Sequence, residues 1–280
     1  MSELQESMQV KTPGIHSLLK TAGARRSSII PFVGLLFIAV FFQIVSHGRL
    51  LSARNAPILI NQVYTTMLGC SALVFVITQG NLDFSMGAVA GTCAAVAAQA
   101  IKVSPWLVLP VAIATGVIIG CVNGFVNAKL NVPSFIATLA MSFMLSGLTL
   151  QILGDGSLGI PISMLKFDNI WLKVAALVVL VGLGFLLFEF TPFGKRSRAI
   201  GACTEAARQS GVNIRKAKIQ SFLLTGGMAG FIGLCALIRS GTASASTGSS
   251  LMFDALNALM LGGLPLAGGA GSKYRAVLVG

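Results

Sequence analysis

The chain has 280 residues, of which 55% are hydrophobic and only 10% charged, and its mean hydropathy is +0.85. Soluble domains carry about 25% charged residues, and so few charges could not form the polar surface of a water-soluble protein of this length. The composition therefore excludes a soluble protein and predicts an integral membrane protein, whose net charge of +12 must be understood from where the basic residues lie.

Apolar runs of bilayer-spanning length recur along the whole chain. About 20 apolar residues cross the hydrocarbon core as a helix, and the runs lack the short alternating segments of a membrane β-barrel. The sequence therefore predicts an all-α, polytopic transmembrane helical bundle with about eight spans and the start of another. These spans are 27–46, 55–82, 84–101, 103–128, 130–154, 174–188, 219–238 and 255–272, the last ending as a helix near Gly262.

The two ends of the chain differ in character. Residues 1–26 are polar and are not followed by a small-residue cleavage site, so we expect a cytoplasmic tail and an uncleaved first helix rather than a removed signal peptide. We expect 27–280 to form one transmembrane domain. A new apolar run starts at Tyr274 and reaches only Gly280, so further helices are expected beyond it.

The basic residues indicate an orientation. If the N-terminus is cytoplasmic and each run crosses once, 14 of the 20 basic residues lie inside, seven of them between 195 and 218. The positive-inside rule favours this orientation, and anionic lipid headgroups then explain most of the positive charge. No interleaved aromatic residues accompany the basic patch, so nucleic acid is not an expected partner.

The basic cytoplasmic loop 191–218 contains a short predicted helix. Thr204 stands in the N-cap position, and Gly211 is placed to end the helix. Small side chains on one face allow a partner to approach closely, and Arg208 can pair with an acid on that partner. The segment therefore predicts a docking element, formed by Thr204, Glu205, Ala206, Ala207, Arg208 and Gly211.

Two acids lie at the ends of predicted spans. Asp83 follows the helix-breaking pair Gly80 and Asn81, and it either caps the next helix through the amides of Ser85 and Met86 or contacts a solute hydroxyl. Asp254 follows the polar stretch SGTASASTGSS, which is an external loop or a re-entrant segment. Asp254 therefore either caps the helix that follows or faces a pathway through the helical bundle.

Small residues repeat at four-residue spacing in two of the spans. Gly116, Gly120 and Gly124 form one such row, and Gly226 and Gly230 form the other. This spacing is typical of close packing between transmembrane helices, and we assign these glycines no ligand.

Four segments together carry a family resemblance. EAARQSG, at 205–211, resembles the coupling loop of ATP-binding-cassette (ABC) permeases, and AIGACTEAARQSGVNIRKAKI resembles its form in the ribose/xylose/galactose branch of bacterial importers. The other similar segments are VITQGNLDFSMGAVAG, NGFVNAKLNVPSFIATLAM and FDALNALMLGGLPLAGGAGS. The chain departs from the family pattern at Gln79, Asn81, Phe84, Cys203 and Met252.

The resemblance implies an inner-membrane permease subunit that imports a ribose-like or xylose-like monosaccharide. It implies three partners: a cytoplasmic ABC ATPase dimer, an extracytoplasmic solute-binding protein and a second permease copy or paralogue. No G-x-x-x-x-G-K-[ST] motif occurs, so ATP is expected on the ATPase, and we expect no cofactor, metal or enzymatic activity in this chain. The expected pathway residues, or helix caps, are Asp83, Phe84, Ser85, Asn123, Phe135 and Asp254.

Three other functions are considered beside this one. A branched-chain amino acid ABC permease is the nearest alternative, since it differs only in its solute. An ion-coupled secondary transporter would need embedded ionisable groups, for which Asp83 and Asp254 are the candidates. A membrane-embedded enzyme would need a convergent nucleophile, base and orienting residue, which the sequence does not show.

Overall fold

The structure is a computed structural model that describes residues 34, 36–154, 156–269 and 273–279. Within these residues the chain is helical, with one two-stranded β-bridge, which confirms the all-α prediction. The helices are α1 Leu36–Val45, α2 Ala56–Thr78, α3 Met86–Ile101, α4 Val108–Lys129, α5 Ser134–Leu153, α6 Ile170–Glu189, α7 Pro192–Ala202, α8 Thr204–Gln209, α9 Ile214–Ser240, α10 Leu251–Leu261 and α11 Ala276–Val279. Two 3₁₀ helices, Pro105–Leu107 and Ile162–Phe167, and the strands β1 Leu158–Gly159 and β2 Thr242–Ala243 complete the described elements.

Among the described residues, five helices are long and apolar enough to cross a membrane. They are Ala56–Thr78, Pro105–Lys129, Ser134–Leu153, Ile170–Glu189 and Ile214–Ser240, and they correspond to five predicted spans. α3 and α10 are shorter, with 16 and 11 residues. The predicted span 27–46 lies partly outside the described residues, and α1 is its described part.

The boundaries of α10 correct the predicted span 255–272. The helix starts at Leu251, because an acid in a first helical turn is favourable and Asp254 does not interrupt it. It ends before Gly262, as expected. Ser250 occupies the N-cap position, so the expectation that Asp254 caps this helix is wrong.

Contacts divide the chain into two units, 1–58 and 59–280. The described part of the first unit is α1 with the start of α2. The second unit holds all the remaining helices, and its core centres on the aromatic side chains of Phe75, Phe188 and Tyr274. The Tyr274 hydroxyl donates to the Val181 carbonyl of α6 (3.1 Å) and accepts from Ser71 of α2.

α3 lies in the middle of this unit because its side chains are small. Twelve of its 16 residues are buried, and the helix packs against α4, α5 and α9. Its glycines allow the backbone of the polar stretch to approach closely. A Cβ on Gly91 would lie 2.6 Å from the Thr247 carbonyl oxygen. The polar stretch 240–250 is therefore packed on protein, which satisfies the requirement for irregular backbone near a membrane.

The two glycine rows meet in the contact between α4 and α9, which confirms the predicted close packing. A Cβ on Gly226 would lie 2.9 Å from the Gly120 Cα and 3.0 Å from the Gly116 carbonyl carbon. A Cβ on Gly124 would lie 2.8 Å from the Ile219 Cα. The two backbones touch directly along this seam, which only glycine permits.

The ends of the helices define two sides of the second unit. β1 and β2 pair in antiparallel fashion, Leu158 opposite Ala243, and join the α5–α6 connection to the end of α9. We call this the β side. A mainly apolar cavity of ≈ 450 Å³ lies there, lined in part by Trp106, Met164 and Ile238. The opposite side carries α7, α8 and the end of α4, and we call it the α8 side.

Candidate translocation site and coupling surface

A short non-helical segment, residues 79–85, separates α2 from α3, and we call it the central loop. α2 ends because Gly80 adopts a φ of +74°, a conformation that glycine tolerates best. The amides of Gly80 and Asn81 then donate to the carbonyls of Ile77 (2.8 Å) and Val76 (3.2 Å). This pattern is a Schellman-type end, and it turns the chain out of the helix axis.

Side chains of α5 satisfy the backbone of the central loop. The Leu82 amide donates to Ser134 Oγ and the Phe84 amide donates to Thr138 Oγ1, both at 3.0 Å. Unpaired amides at membrane depth are costly, so these two hydroxyls allow an extended segment to lie between α2 and α3.

Three of the predicted pathway residues form one hydrogen-bonded chain. Asp83 Oδ1 accepts from the Ser85 amide (2.9 Å) and the Ser85 hydroxyl (2.6 Å). Asn123 of α4 donates its side-chain amide to Ser85 Oγ at 2.8 Å. Asp83 thus accepts from the Ser85 amide, one of the two predicted, but the N-cap residue of α3 is Ser85, so the interpretation of Asp83 as the cap of this helix is wrong. All three side chains are buried, and the chain ties the central loop to α4.

Three phenylalanine rings lie next to this polar chain, and we call them the aromatic cluster. The Phe84 ring packs edge-on against Phe135 of α5 (centroids 5.0 Å apart) and Phe253 of α10 (6.5 Å). Phe135 is 48% exposed and Phe253 57% exposed, so the rings form an accessible apolar wall. Phe253 was missed by the sequence reasoning, although it directly precedes Asp254.

Five of the predicted pathway residues are therefore brought together: Asp83, Phe84, Ser85, Asn123 and Phe135. Asp254 is linked to them through its neighbour Phe253. Aromatic faces beside a few fixed polar groups are typical of small-molecule binding sites. The described residues contain no group of three or more His, Cys, Asp or Glu side chains that could hold a metal ion.

The predicted docking helix is α8. Its C-terminal end lies where predicted, but its N-cap residue does not. Gly211 ends the helix with a φ of +79°, and the Val212 amide donates to the Ala207 carbonyl (3.0 Å), as a glycine-terminated helix requires. The N-cap assignment to Thr204 is wrong, since Cys203 occupies that position. The Thr204 hydroxyl instead donates to the Ile200 carbonyl of α7 at 3.0 Å.

α8 is held by one side chain and exposes the others. Ala207 is buried against Ile200 and Ala217, in a small cluster that fixes α8 to α7 and α9. Glu205 and Arg208 form an exposed ion pair (3.4 Å), which contributes little to stability. Five of the exposed positions in and next to α8, which we call the coupling surface, are Thr204, Glu205, Ala206, Arg208 and Gly211.

Comparison with known proteins assigns the chain to a family. Residues 56–280 match the branched-chain amino acid transport system / permease component family. The chain belongs to this permease family. The match covers all the elements from α2 onwards, including the central loop and the coupling surface. The permease is a multi-pass protein of the bacterial inner membrane.

The permease is similar to several sugar permeases. It is 29% identical to the xylose transport system permease protein of Haemophilus influenzae over 89% of this chain and 85% of the relative. It is 28% identical to the Escherichia coli protein of that name, over 97% and 86% of the two chains. It is 31% identical to the ribose import permease protein of Bacillus subtilis, over 86% and 78%. No solved structure matches the chain.

Proposed function

We propose that this permease is the membrane-spanning subunit of an ABC importer that carries a pentose-type monosaccharide. The observation that carries the proposal is its similarity, over 86–97% of its length, to permeases named for xylose and ribose. The family description also names branched-chain amino acids. None of the three relatives above is named for such a solute, so a sugar is favoured.

The aromatic cluster and the polar chain suit such a solute. A sugar ring has apolar C–H faces, which pack on exposed aromatic rings, and hydroxyls, which need hydrogen-bond partners. Phe135 and Phe253 offer the first. The chain formed by Asp83, Ser85 and Asn123 is buried in this structure and flanks Phe84, and we propose that it supplies the second when the central loop moves. We assign the solute contact to this region.

The coupling surface suits a soluble motor. α8 is short, exposed and fixed through Ala207 to α7 and to the membrane helix α9, so a force on it reaches both. We propose that a cytoplasmic ABC ATPase dimer docks there and supplies the ATP, so that this chain needs no cofactor and is not an enzyme. An extracytoplasmic solute-binding protein and a second permease copy or paralogue would complete the importer.

This assignment implies a topology. The α8 side is cytoplasmic, where 191–218 forms the coupling loop, and the β side is extracytoplasmic. With residues 1–26 as a cytoplasmic tail, we propose eight membrane segments within a single domain, 27–280. α3 and α10 are too short to cross alone as ideal spans, so they are its partial segments.

Capture of the tagged chain from native membranes in mild detergent tests the motor assignment. We expect a Walker-motif ATPase to be recovered with it. Gly211→Arg should reduce this recovery about tenfold or more, which corresponds to about 1.4 kcal/mol of lost binding. Gly211→Asn is the matched control, because asparagine tolerates the left-handed conformation and adds no bulky charge. Equal recovery with both variants would refute the docking role of α8.

Uptake into vesicles tests the solute and the energy source. We expect labelled xylose or ribose to accumulate with ATP, and unlabelled leucine not to compete. Competition by leucine would identify an amino acid permease. Uptake that is abolished by a protonophore and indifferent to ATP depletion would identify an ion-coupled transporter instead.

A further inference from the structure

Gln79 is the first residue of the central loop, and its buried side chain joins three helices. It is 5% exposed. Its amide nitrogen donates to Ser197 Oγ of α7 (2.9 Å) and, on α9, to Ser221 Oγ and the Ala217 carbonyl (3.3 Å). The end of α2 is thereby bonded to the helix that carries α8 and to the helix that follows it.

The hydroxyls around Gln79 fix the direction of these bonds. Ser197 donates its own proton to the Phe193 carbonyl and Ser221 donates to the Ala217 carbonyl, both at 3.1 Å. Each serine therefore presents only lone pairs to Gln79, so the amide nitrogen must face them. Gln79 Oε1 is buried and has no hydrogen-bond partner in the described part of the chain.

The nitrogen of Gln79 is bonded to α7 and to α9 at once. A displacement of α7 relative to α9 would therefore strain these bonds and act on Gln79, where the central loop begins.

Backbone contacts at the same place leave α7 little room to move alone. A Cβ on Gly201 of α7 would overlap the Thr78 carbonyl oxygen, so the two backbones touch. The same oxygen accepts from the Gly269 amide at 3.1 Å. A displacement of α7 must therefore displace the last turn of α2 and, with it, Gln79.

The other end of the central loop carries the candidate solute site. Phe84 lies five residues after Gln79 and packs against Phe135 and Phe253. The loop between them is non-helical, and its Leu82 and Phe84 amides are bonded to α5, which restricts its movement. We infer that Gln79 is a positioning residue that transmits displacement of α7 to the aromatic cluster. This inference rests on the proposed function.

Two substitutions that each delete one hydroxyl distinguish a positioning role of Gln79 from a role in packing alone. Ser197→Ala removes the bond between Gln79 and α7 and leaves both bonds to α9. Ser221→Ala removes one bond to α9 and leaves the bond to α7. Both serines are fully buried, and each variant leaves the Gln79 nitrogen two acceptors, so both are expected to fold.

The measurement uses the full chain, copurified with its ATPase, reconstituted in liposomes and supplied with its extracytoplasmic solute-binding protein. The readout is labelled xylose transported per ATP hydrolysed, normalised to assembled complex. Ser197→Ala should lower this ratio about fivefold, the factor that one neutral hydrogen bond represents, while Ser221→Ala should stay near wild type. Gln79→Met, which keeps the length and removes all three bonds, should behave as Ser197→Ala does.

The outcomes are distinct. If Ser197→Ala and Ser221→Ala have equal ratios, or if Ser197→Ala lowers only the amount of complex, Gln79 is merely structural and the inference is wrong. If wild-type liposomes show no ATP-dependent uptake of xylose or ribose, the proposed function fails and the inference falls with it.

Discussion

Gly226 offers the sharpest test of how closely α4 and α9 pack. In Gly226→Ala the new Cβ would overlap the Gly116 carbonyl oxygen and lie 2.9 Å from the Gly120 Cα. Carbon atoms pack best at about 3.5–4.0 Å, so the helices must separate by about 1 Å. The neighbours are backbone atoms, which cannot rotate away as a side chain would.

The cost follows from this separation. Overpacking of a tight core typically costs about 1–3 kcal/mol, and for a chain of this size each kcal/mol lowers Tm by about 2 °C. Gly147→Ala in α5 is the matched control, since nothing lies within 4 Å of its Cβ position. There the gain in helix propensity, about 1 kcal/mol, should raise Tm slightly. Both alanine variants share the same gain in helix propensity, so we expect the Tm of Gly226→Ala to lie about 2–6 °C below the Tm of the control variant.

Thermal unfolding of the purified variants in one detergent, followed by the loss of monodisperse protein, provides the assay. A Tm for Gly226→Ala that equals or exceeds the Tm of Gly147→Ala would show that the two helices do not touch through their backbones. The description of α4 and α9 as packed backbone to backbone would then be wrong.

Three further changes test the site and the core. Asn123→Leu removes the amide that donates to Ser85, and labelled xylose uptake should fall about tenfold at an unchanged membrane level; full uptake would remove Asn123 from the site. Phe253→Ala should raise the KM for uptake several-fold, because it removes a ring contact worth about 1 kcal/mol. Phe143→Ala, which removes an exposed ring of α5, should leave the KM unchanged. Equal KM values for the two variants would contradict a solute contact at the aromatic cluster. Tyr274→Phe deletes a hydroxyl with two buried hydrogen bonds and should lower Tm by about 2–4 °C, and an unchanged Tm would show that these bonds do not stabilise the core.

Hydropathy and glycine spacing predicted much of the architecture because both report local physics. Each of the five long spans contains a charge-free apolar run, and a helix satisfies the whole backbone of such a run in lipid. The positive φ of Gly211 and the glycine seam were predictable for the same reason, since each needs only the absence of a Cβ.

The wrong predictions concern polar side chains that are favourable at more than one position near the start of a helix. Thr204 is a good N-cap residue, but its hydroxyl can equally donate back to a carbonyl four residues earlier, and it does so to Ile200. The prediction that the last span starts after Asp254 treats the charge as a helix boundary. A carboxylate in the first turn of a helix is favourable, so the helix begins at Leu251.

The site residues that the sequence missed depend on contacts distant along the chain. Gln79 reaches Ser197 and Ser221, 118 and 142 residues away, and only the folded arrangement of α7 and α9 shows why a glutamine stands there. Phe253 similarly acquires meaning only when α10 brings it to Phe84. A single sequence carries no signal for either contact.

The β-bridge attaches one end of α9 to its surroundings, whereas the other end carries the contact with α8. β2 begins directly after α9, and the Ile160 amide donates to the Gly241 carbonyl (2.9 Å), so this end is fastened to the α5–α6 connection. With 27 residues the helix is about 40 Å long, and a 2 Å push at its α8 end tilts it by about 3°. Gly226 lies near the middle of the helix, where the movement is halved. A push on α8 would therefore move the α8 side and leave the β side almost still.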